Sequence, residues 1–305
     1  SKRDNNAPLP RTLQLLLHEP VELIADAGKE IKVQVPDAFY GPTENSYFML
    51  KEHITPITEK HIPYLPSENP DAITKTLLLP FYDQQTDITF SAGTSFVLAE
   101  PCDQSDDVCS VFAYNKHTDA FDIKKIPSQF FLHSSGNKRD DFLTILHTWK
   151  NAPYVWGGSS FIYQMRGKKP IQKKYGPYTY WTYSNDQVHK TKSGFDCSGL
   201  VWRAAKTAGI TLPERNTSML NRLQRISDLD SLKAGDLIIL PGHVIIISDL
   251  DNNLIIEAGG YDRGIGSVIE HALTDYFPGI KTLHDLRHEC TTGKRSCVFV
   301  KLPTD

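Results

Sequence analysis

The chain has 305 residues, 33 Lys and Arg against 36 Asp and Glu, a formal net charge of −3 and 40% hydrophobic residues. That is enough for one large domain or two ordinary ones with real cores. The charge balance gives no basic field for nucleic acid and no pull toward an anionic membrane surface, and no apolar run is long enough to span a bilayer.

The opening Ser1-Lys2-Arg3-Asp4-Asn5-Asn6 is not a signal peptide, so either a presequence has been removed or none existed. Residues 1 to about 135 carry no catalytic motif. Short β-prone runs, Glu30 to Val35, Tyr47 to Lys51, Thr76 to Leu79, Ile88 to Phe90 and Ser95 to Leu98, alternate with Pro, Gly, Asn and Asp turns. This pattern predicts a small all-β region. Its aromatics, including Tyr40, Tyr47, Tyr64 and Tyr82, suit either a core or a ligand stack. The run from Asp87 through Val97, continued to Ile126-Pro127, resembles a bacterial SH3-type module. That resemblance implies wall binding or substrate gating; the plainer reading is a β-rich packing partner.

The polar run His133 to Lys138 reads as a linker, dividing the chain into 1–135 and 136–305. Acids at Asp140 and Asp141 then favour a helix start, with Phe142, Ile145, Leu146 and Trp149 on one helical face. His147 lies in this helix and reads as structural. A polar, Tyr- and Lys-rich stretch follows from Ser159 to Lys192, suited to walling a cleft or to decorating the surface.

At Gly194-Phe195-Asp196-Cys197-Ser198-Gly199-Leu200 a cysteine falls where a loop becomes a helix. Val201, Ala204, Ala205 and Ala208 continue an apolar stripe, and Gly209 is a natural stop. At such a helix start, unpaired N–H groups and the positive end of the dipole favour an anion. A buried structural cysteine is the alternative. Further on, Leu237 to Leu240, Val244 to Ile247 and Leu254 to Ile256 read as successive antiparallel strands, with Asp251-Asn252-Asn253 turning between the last two.

The five cysteines fall as two close pairs, Cys102 with Cys109 and Cys290 with Cys297, plus Cys197. Two hairpin disulfides and one free thiol would suit an oxidising, exported location; five reduced thiols in a cytosol is the alternative. No Cys-x-x-Cys or Cys/His spacing suggests a metal site, and nothing in the sequence calls for a cofactor.

Three separated motifs occur in order: Pro153-Tyr154-Val155-Trp156-Gly157-Gly158, Asp196-Cys197-Ser198-Gly199, and Gly235-Asp236-Leu237 leading to Pro241-Gly242-His243-Val244. Over about residues 139 to 260 the chain resembles the NlpC/P60 family of cell-wall cysteine peptidases. The resemblance implies a papain-like α+β domain, with Cys197 as nucleophile and His243 as base. The family's third residue is usually a histidine before an alanine. Here that slot holds Glu257, which either orients the imidazole or faces solvent. His271 is the reserve choice, and His284 and His288 rank below it.

Tyr154 matches the family's active-site tyrosine. Asp196, Ser198, Arg215 and Thr217 match positions that line its substrate cleft, although Glu214 separates Pro213 from Arg215 and Asp196 would serve equally as a helix N-cap. The Cys197 N–H would stabilise an oxyanion. The resemblance further implies hydrolysis of the γ-D-glutamyl to diamino acid (diaminopimelate or lysine) bond of peptidoglycan stem peptides through a thioester. An exported wall enzyme and a cytoplasmic enzyme recycling muropeptides both fit. An amidase or acyltransferase on the same scaffold, and a non-catalytic wall-binding protein, are the other classes compatible with these residues.

Overall fold

The computed structural model describes residues 15–35, 46–86, 88–160, 162, 171–175, 178–182, 193–212, 215–260 and 263–304. Contacts divide the chain into a unit spanning Leu15–Ser134 and one built on Ser135–Asp305.

Among its described residues the first unit is all-β apart from short 3-10 turns. Strands β1 (Glu22–Ala27), β2 (Glu30–Gln34) and β3 (Ser46–Leu50) form an antiparallel sheet. Then β4 (Thr74–Thr76) pairs with β7 (Ser95–Val97), β5 (Phe81–Asp83) with β6 (Ile88–Phe90), and β8 (Val108–Asn115) with β9 (Ala120–Pro127). The expected strand at Thr76 to Leu79 sits earlier, at β4, and the β8–β9 hairpin, the longest among the described residues, is not among the strands the sequence predicts. On β8, period-two alternation sends Cys109, Val111 and Ala113 into a core with Leu77, Phe90, Phe96 and Phe131. Cys109 is bonded there to Cys102, with Cα atoms 5.5 Å apart. Tyr64 stacks on Phe121 at 5.1 Å, Tyr82 is exposed, and Tyr40 lies outside the described residues.

The second unit opens with helix α1 (Lys138–Thr148), capped by the Asn137 side chain, which accepts from Arg139 N at 3.0 Å. Phe142, Ile145 and Leu146 form its buried face, and Trp149 stacks on Phe195 at 5.0 Å. His147 is partly exposed and pairs with Glu270. Short strands β10 (Ser159–Ser160) and β13 (Gly194–Phe195) pair antiparallel, so the Ser159–Lys192 stretch leaves and re-enters at one place. Within it β11 (Ile171–Tyr175) and β12 (Tyr178–Thr182) form a hairpin; most of the rest lies outside the described residues.

Helix α2 (Cys197–Thr207) follows at once and ends as expected: Gly209 takes φ +71° and donates to Lys206 O at 3.1 Å. After the short α3 (Thr217–Leu220) comes a five-stranded antiparallel sheet of β14 (Leu237–Leu240), β15 (His243–Asp249), β16 (Leu254–Gly259), β17 (Ser267–Ala272) and β18 (Val298–Val300), ordered β17-β16-β15-β14-β18. Helix α2 packs on β15 and β16. Helices α4 (Leu273–Tyr276) and α5 (Leu283–Thr291) cover a core of Ile238, Ile245, Ile247, Ile255, Leu283 and Leu286. The Cys290–Cys297 disulfide closes the turn after α5. The α+β organisation expected from the sequence is thus borne out, with an all-β region ahead of it. No helix among the described residues is long and apolar enough to cross a membrane.

Candidate active site

Cys197, the one free cysteine, is the first residue of α2 and is 8% exposed. Its neighbour Asp196 is the N-cap: Oδ1 accepts from Gly199 N at 2.6 Å and Oδ2 from Gly157 N at 2.9 Å. Asp196 N in turn donates to Gly158 O at 3.1 Å, so the Gly157-Gly158 turn is laced to the helix start. The glycines are needed for this approach. A Cβ on Gly199 would stand 2.0 Å from Gly158 O, closer than any heavy atoms pack.

His243 is placed by a two-residue hairpin. Pro241 presets φ, Gly242 takes φ +75°, and Leu240 pairs with His243. Ile247 faces Ile255 across the sheet and Ile255 faces His271. With period two, His243, Glu257 and His271 therefore share one face. His243 Nε2 is 2.5 Å from Glu257 Oε2, which leaves Nδ1 as the ring nitrogen available to a thiol proton. Glu257 is fully buried.

Arg263 Nη1 also donates to Glu257 Oε2, at 2.8 Å. His271 Nε2 lies 3.1 Å from Oε1, and this contact helps keep Glu257 ionised. Burial opposes the charged form of His243, but hydrogen bonds to Cys197 and Glu257 outweigh it and raise the imidazole to about 9. Burial likewise opposes ionisation of Glu257. The histidine contacts and the Arg263 charge overcome it and hold the carboxyl at about 2. Imidazolium and carboxylate therefore face each other at neutral pH, beside the thiol.

Thr217 also borders the thiol, with Oγ1 3.9 Å from Sγ. Tyr154 is tied in through its backbone, donating to Gly266 O at 2.9 Å and bridging to Phe195. Arg215 is fully buried, donating to Gly158 O at 2.9 Å and to Asp196 Oδ2 at 3.2 Å. Ser198 is buried with its hydroxyl 3.3 Å from Asp196 Oδ1. Ser198 and Arg215 thus both bond to Asp196, the residue before the thiol. Pro213 and Glu214 lie outside the described residues. His284 and His288 are exposed on α5.

Sequence reasoning did not single out Arg263 and Tyr276. The signal for Arg263 was indirect: a glutamate inside an apolar strand needs a cation, and the next one along the chain is Arg263. Among the described residues no group of three or more His, Cys, Asp or Glu side chains is placed to hold a metal ion.

A thiol at the first turn of a helix, packed on an antiparallel sheet that carries an imidazole and an acid, defines the papain-like α+β class. Residues 151–280 match the NlpC/P60 family model, and that stretch is an NlpC/P60 family domain. An NlpC/P60 family protein from Bacillus cereus has the same fold, with a TM-score of 0.56 and 17% identity over 85% of this chain and 75% of that one. Also similar are NlpC2 from Trichomonas vaginalis, with a TM-score of 0.35 and 16% identity over 85% and 81% of the two chains. RipD from Mycobacterium tuberculosis, a non-catalytic NlpC/p60 domain protein adapted to peptidoglycan binding, has a TM-score of 0.29 and 20% identity over 45% of this chain and 88% of that one. No curated protein matches the sequence. NlpC/P60 proteins bind peptidoglycan and are generally cell-wall cysteine peptidases, with some non-catalytic members.

Proposed function

We propose that this chain is a cysteine endopeptidase that hydrolyses the γ-D-glutamyl to diamino acid bond of peptidoglycan stem peptides. The observation that supports it best is His243, which counts Cys197 among its partners and holds buried Glu257 at 2.5 Å through Nε2. A thiol, an imidazole and an orienting carboxylate are the parts acyl transfer needs.

Cys197 attacks the carbonyl carbon and forms a tetrahedral adduct whose oxyanion is met by the Cys197 N–H, which has no intrahelical acceptor at the first helical position. The imidazolium of His243 gives its proton to the leaving amine, and the C–N bond breaks to leave a thioester. His243 then takes a proton from water, the hydroxide adds to the thioester, and the thiolate departs. Glu257 keeps the ring's Nε2–H directed away from the thiol throughout. Thr217 borders the cleft, and Tyr154 serves as the active-site tyrosine. The bonded Cys102–Cys109 and Cys290–Cys297 pairs favour an exported location.

The test is mass spectrometry of products from defined stem peptides and from intact peptidoglycan, with wild type and Cys197→Ala. Cleavage after D-glutamate by wild type alone is expected. Cleavage undiminished in the variant would end the reading, and transfer to an added amine in place of hydrolysis would make the protein an acyltransferase.

A further inference from the structure

A carboxylate is a costly partner for a buried imidazole. An amide or a second imidazole orients the ring while neutral, whereas Glu257 must stay ionised without solvent, and a buried charge persists only with compensating groups. Among the described residues those groups come from three elements. On β15, His243 takes Oε2 at 2.5 Å. From the segment between β16 and β17, Arg263 takes the same Oε2 at 2.8 Å. On β17, His271 lies 3.1 Å from Oε1. The remaining charged or titratable partner of His243 itself is Cys197.

Tyr276, on α4, touches all three of these side chains. Its ring is nearly parallel to His243, at 6.2 Å and 12°, and tilted against His271 at 6.1 Å. The Arg263 guanidinium lies 3.8 Å from its centroid, a cation–π distance.

We propose that Arg263 and His271 are positioning residues that act through Glu257: they keep it anionic and divide its charge, so that it orients His243 without locking the proton onto the ring. Tyr276 is the shelf that holds the three side chains around the carboxylate. The proposal rests on the Cys197–His243 reading of the site.

The physical argument is about sharing. The imidazolium must surrender its proton to the leaving amine, so a carboxylate that grips Nε2–H too strongly slows the step it prepares. Two donors on Oε2 split the negative charge between them. Without Arg263 the whole of it falls on Nε2–H, and the imidazolium persists to higher pH. The thiolate beside it loses a neighbouring positive charge and forms at higher pH as well. Both edges of the working pH window therefore move upward.

The experiment reads the two edges separately in the full chain. The rate of Cys197 alkylation by iodoacetamide against pH gives the lower edge without any substrate, and kcat/KM on a cleaved stem peptide gives the upper one. Arg263→Met should raise both edges by on the order of one pH unit, the scale expected for losing one nearby charge, and Arg263→Lys should restore most of the shift. His271→Leu should move them in the same direction by less, with His271→Gln, which keeps an N–H donor, restoring them. Arg263→Gln, a donor without charge, repeats the test if the methionine variant does not fold. Edges unmoved in the Arg263→Met, Arg263→Gln and His271→Leu variants would overturn the proposal. So would a raised KM with the alkylation profile unchanged, which would make Arg263 a substrate anchor. If wild type itself lacks a reactive thiolate below the range of an ordinary thiol, the Cys–His reading fails instead.

Discussion

Arg215, fully buried, donates to the Asp196 carboxylate at 3.2 Å, and that carboxylate caps the helix carrying Cys197. The same carboxylate accepts from the Gly157 N–H, and the Arg215 guanidinium also donates to Gly158 O. One ion pair thus binds the turn before β10, the N-terminus of α2 and the approach to α3. The thiol's position is a property of this frame as much as of its own helix.

Removing the cation from that pair leaves a buried carboxylate short of a partner, an imbalance that costs about 3–5 kcal/mol. Arg215→Met should therefore lower the urea midpoint by an amount corresponding to that range, while Asp196→Asn, which keeps a capping oxygen, should lose less. Chemical denaturation monitored by tryptophan fluorescence measures both. Equal stability of Arg215→Met and wild type would show that the pair does not frame the site.

Gly199 makes a sharper case. Its Cβ would sit 2.0 Å from Gly158 O and 2.8 Å from both the Arg215 guanidinium and Asp196 Oδ1. Overpacking costs about 1–3 kcal/mol where side chains yield, and here the nearest atom is backbone. Gly199→Ala should fall at or beyond the upper end of that range and displace Cys197, seen as slower alkylation in the fraction that still folds. Gly242→Ala would meet no atom within 4 Å, although φ +75° strains any side chain there. It should cost about 1 kcal/mol.

These cases show what the sequence could and could not display. Helix α2 was legible because its signals are local: a capping aspartate, an apolar stripe and Gly209. Strands β14 to β16 were legible as apolar runs broken by turns, and Glu257 stood out as a charge inside one of them. The bonding of Arg215 to Asp196 was not legible, since the two are 19 residues apart and only folding brings them together. Arg263 and Tyr276 were missed for the same reason: their contacts pass through a sheet register that no local pattern reveals. The β8–β9 hairpin is not legible because Val108, Phe112 and Tyr114 are apolar on the face opposite Cys109, Val111 and Ala113 and blur the alternation, and the acidic loop before it reads as continued coil.

The His243–Glu257 pair makes stability depend on pH in a defined way. His243 is raised from 6.5 to about 9, so its contribution is complete below pH 6.5 and is lost as pH rises through about 9. Glu257 is lowered from 4.5 to about 2, so its contribution is complete above pH 4.5 and is lost as pH falls through about 2. Both are complete between 4.5 and 6.5. The difference in melting temperature between wild type and a His243→Gln/Glu257→Gln double variant should be largest in that window and shrink on either side. A difference that stays level from pH 3 to 10 would mean that neither group is shifted by folding.

Glu257→Gln separates orientation from charge. The amide oxygen can still accept Nε2–H, so the ring keeps its tautomer, but the imidazolium loses its anion. On the proposed mechanism the upper edge of kcat/KM, set by His243, should move down from near 9 toward 6.5. Activity at pH 7 should fall about fourfold, because only about a quarter of an imidazole at 6.5 is still protonated there. Glu257→Leu removes the acceptor too. It should lose a larger share of the roughly 10²- to 10⁴-fold that general acid–base catalysis provides, with the ring free to turn its N–H toward Cys197. An upper edge and an activity unchanged in Glu257→Gln would mean that charge contributes nothing beyond the hydrogen bond. The carboxylate would then serve only as an amide would, and the cations gathered around Glu257 would have no part in tuning the imidazole.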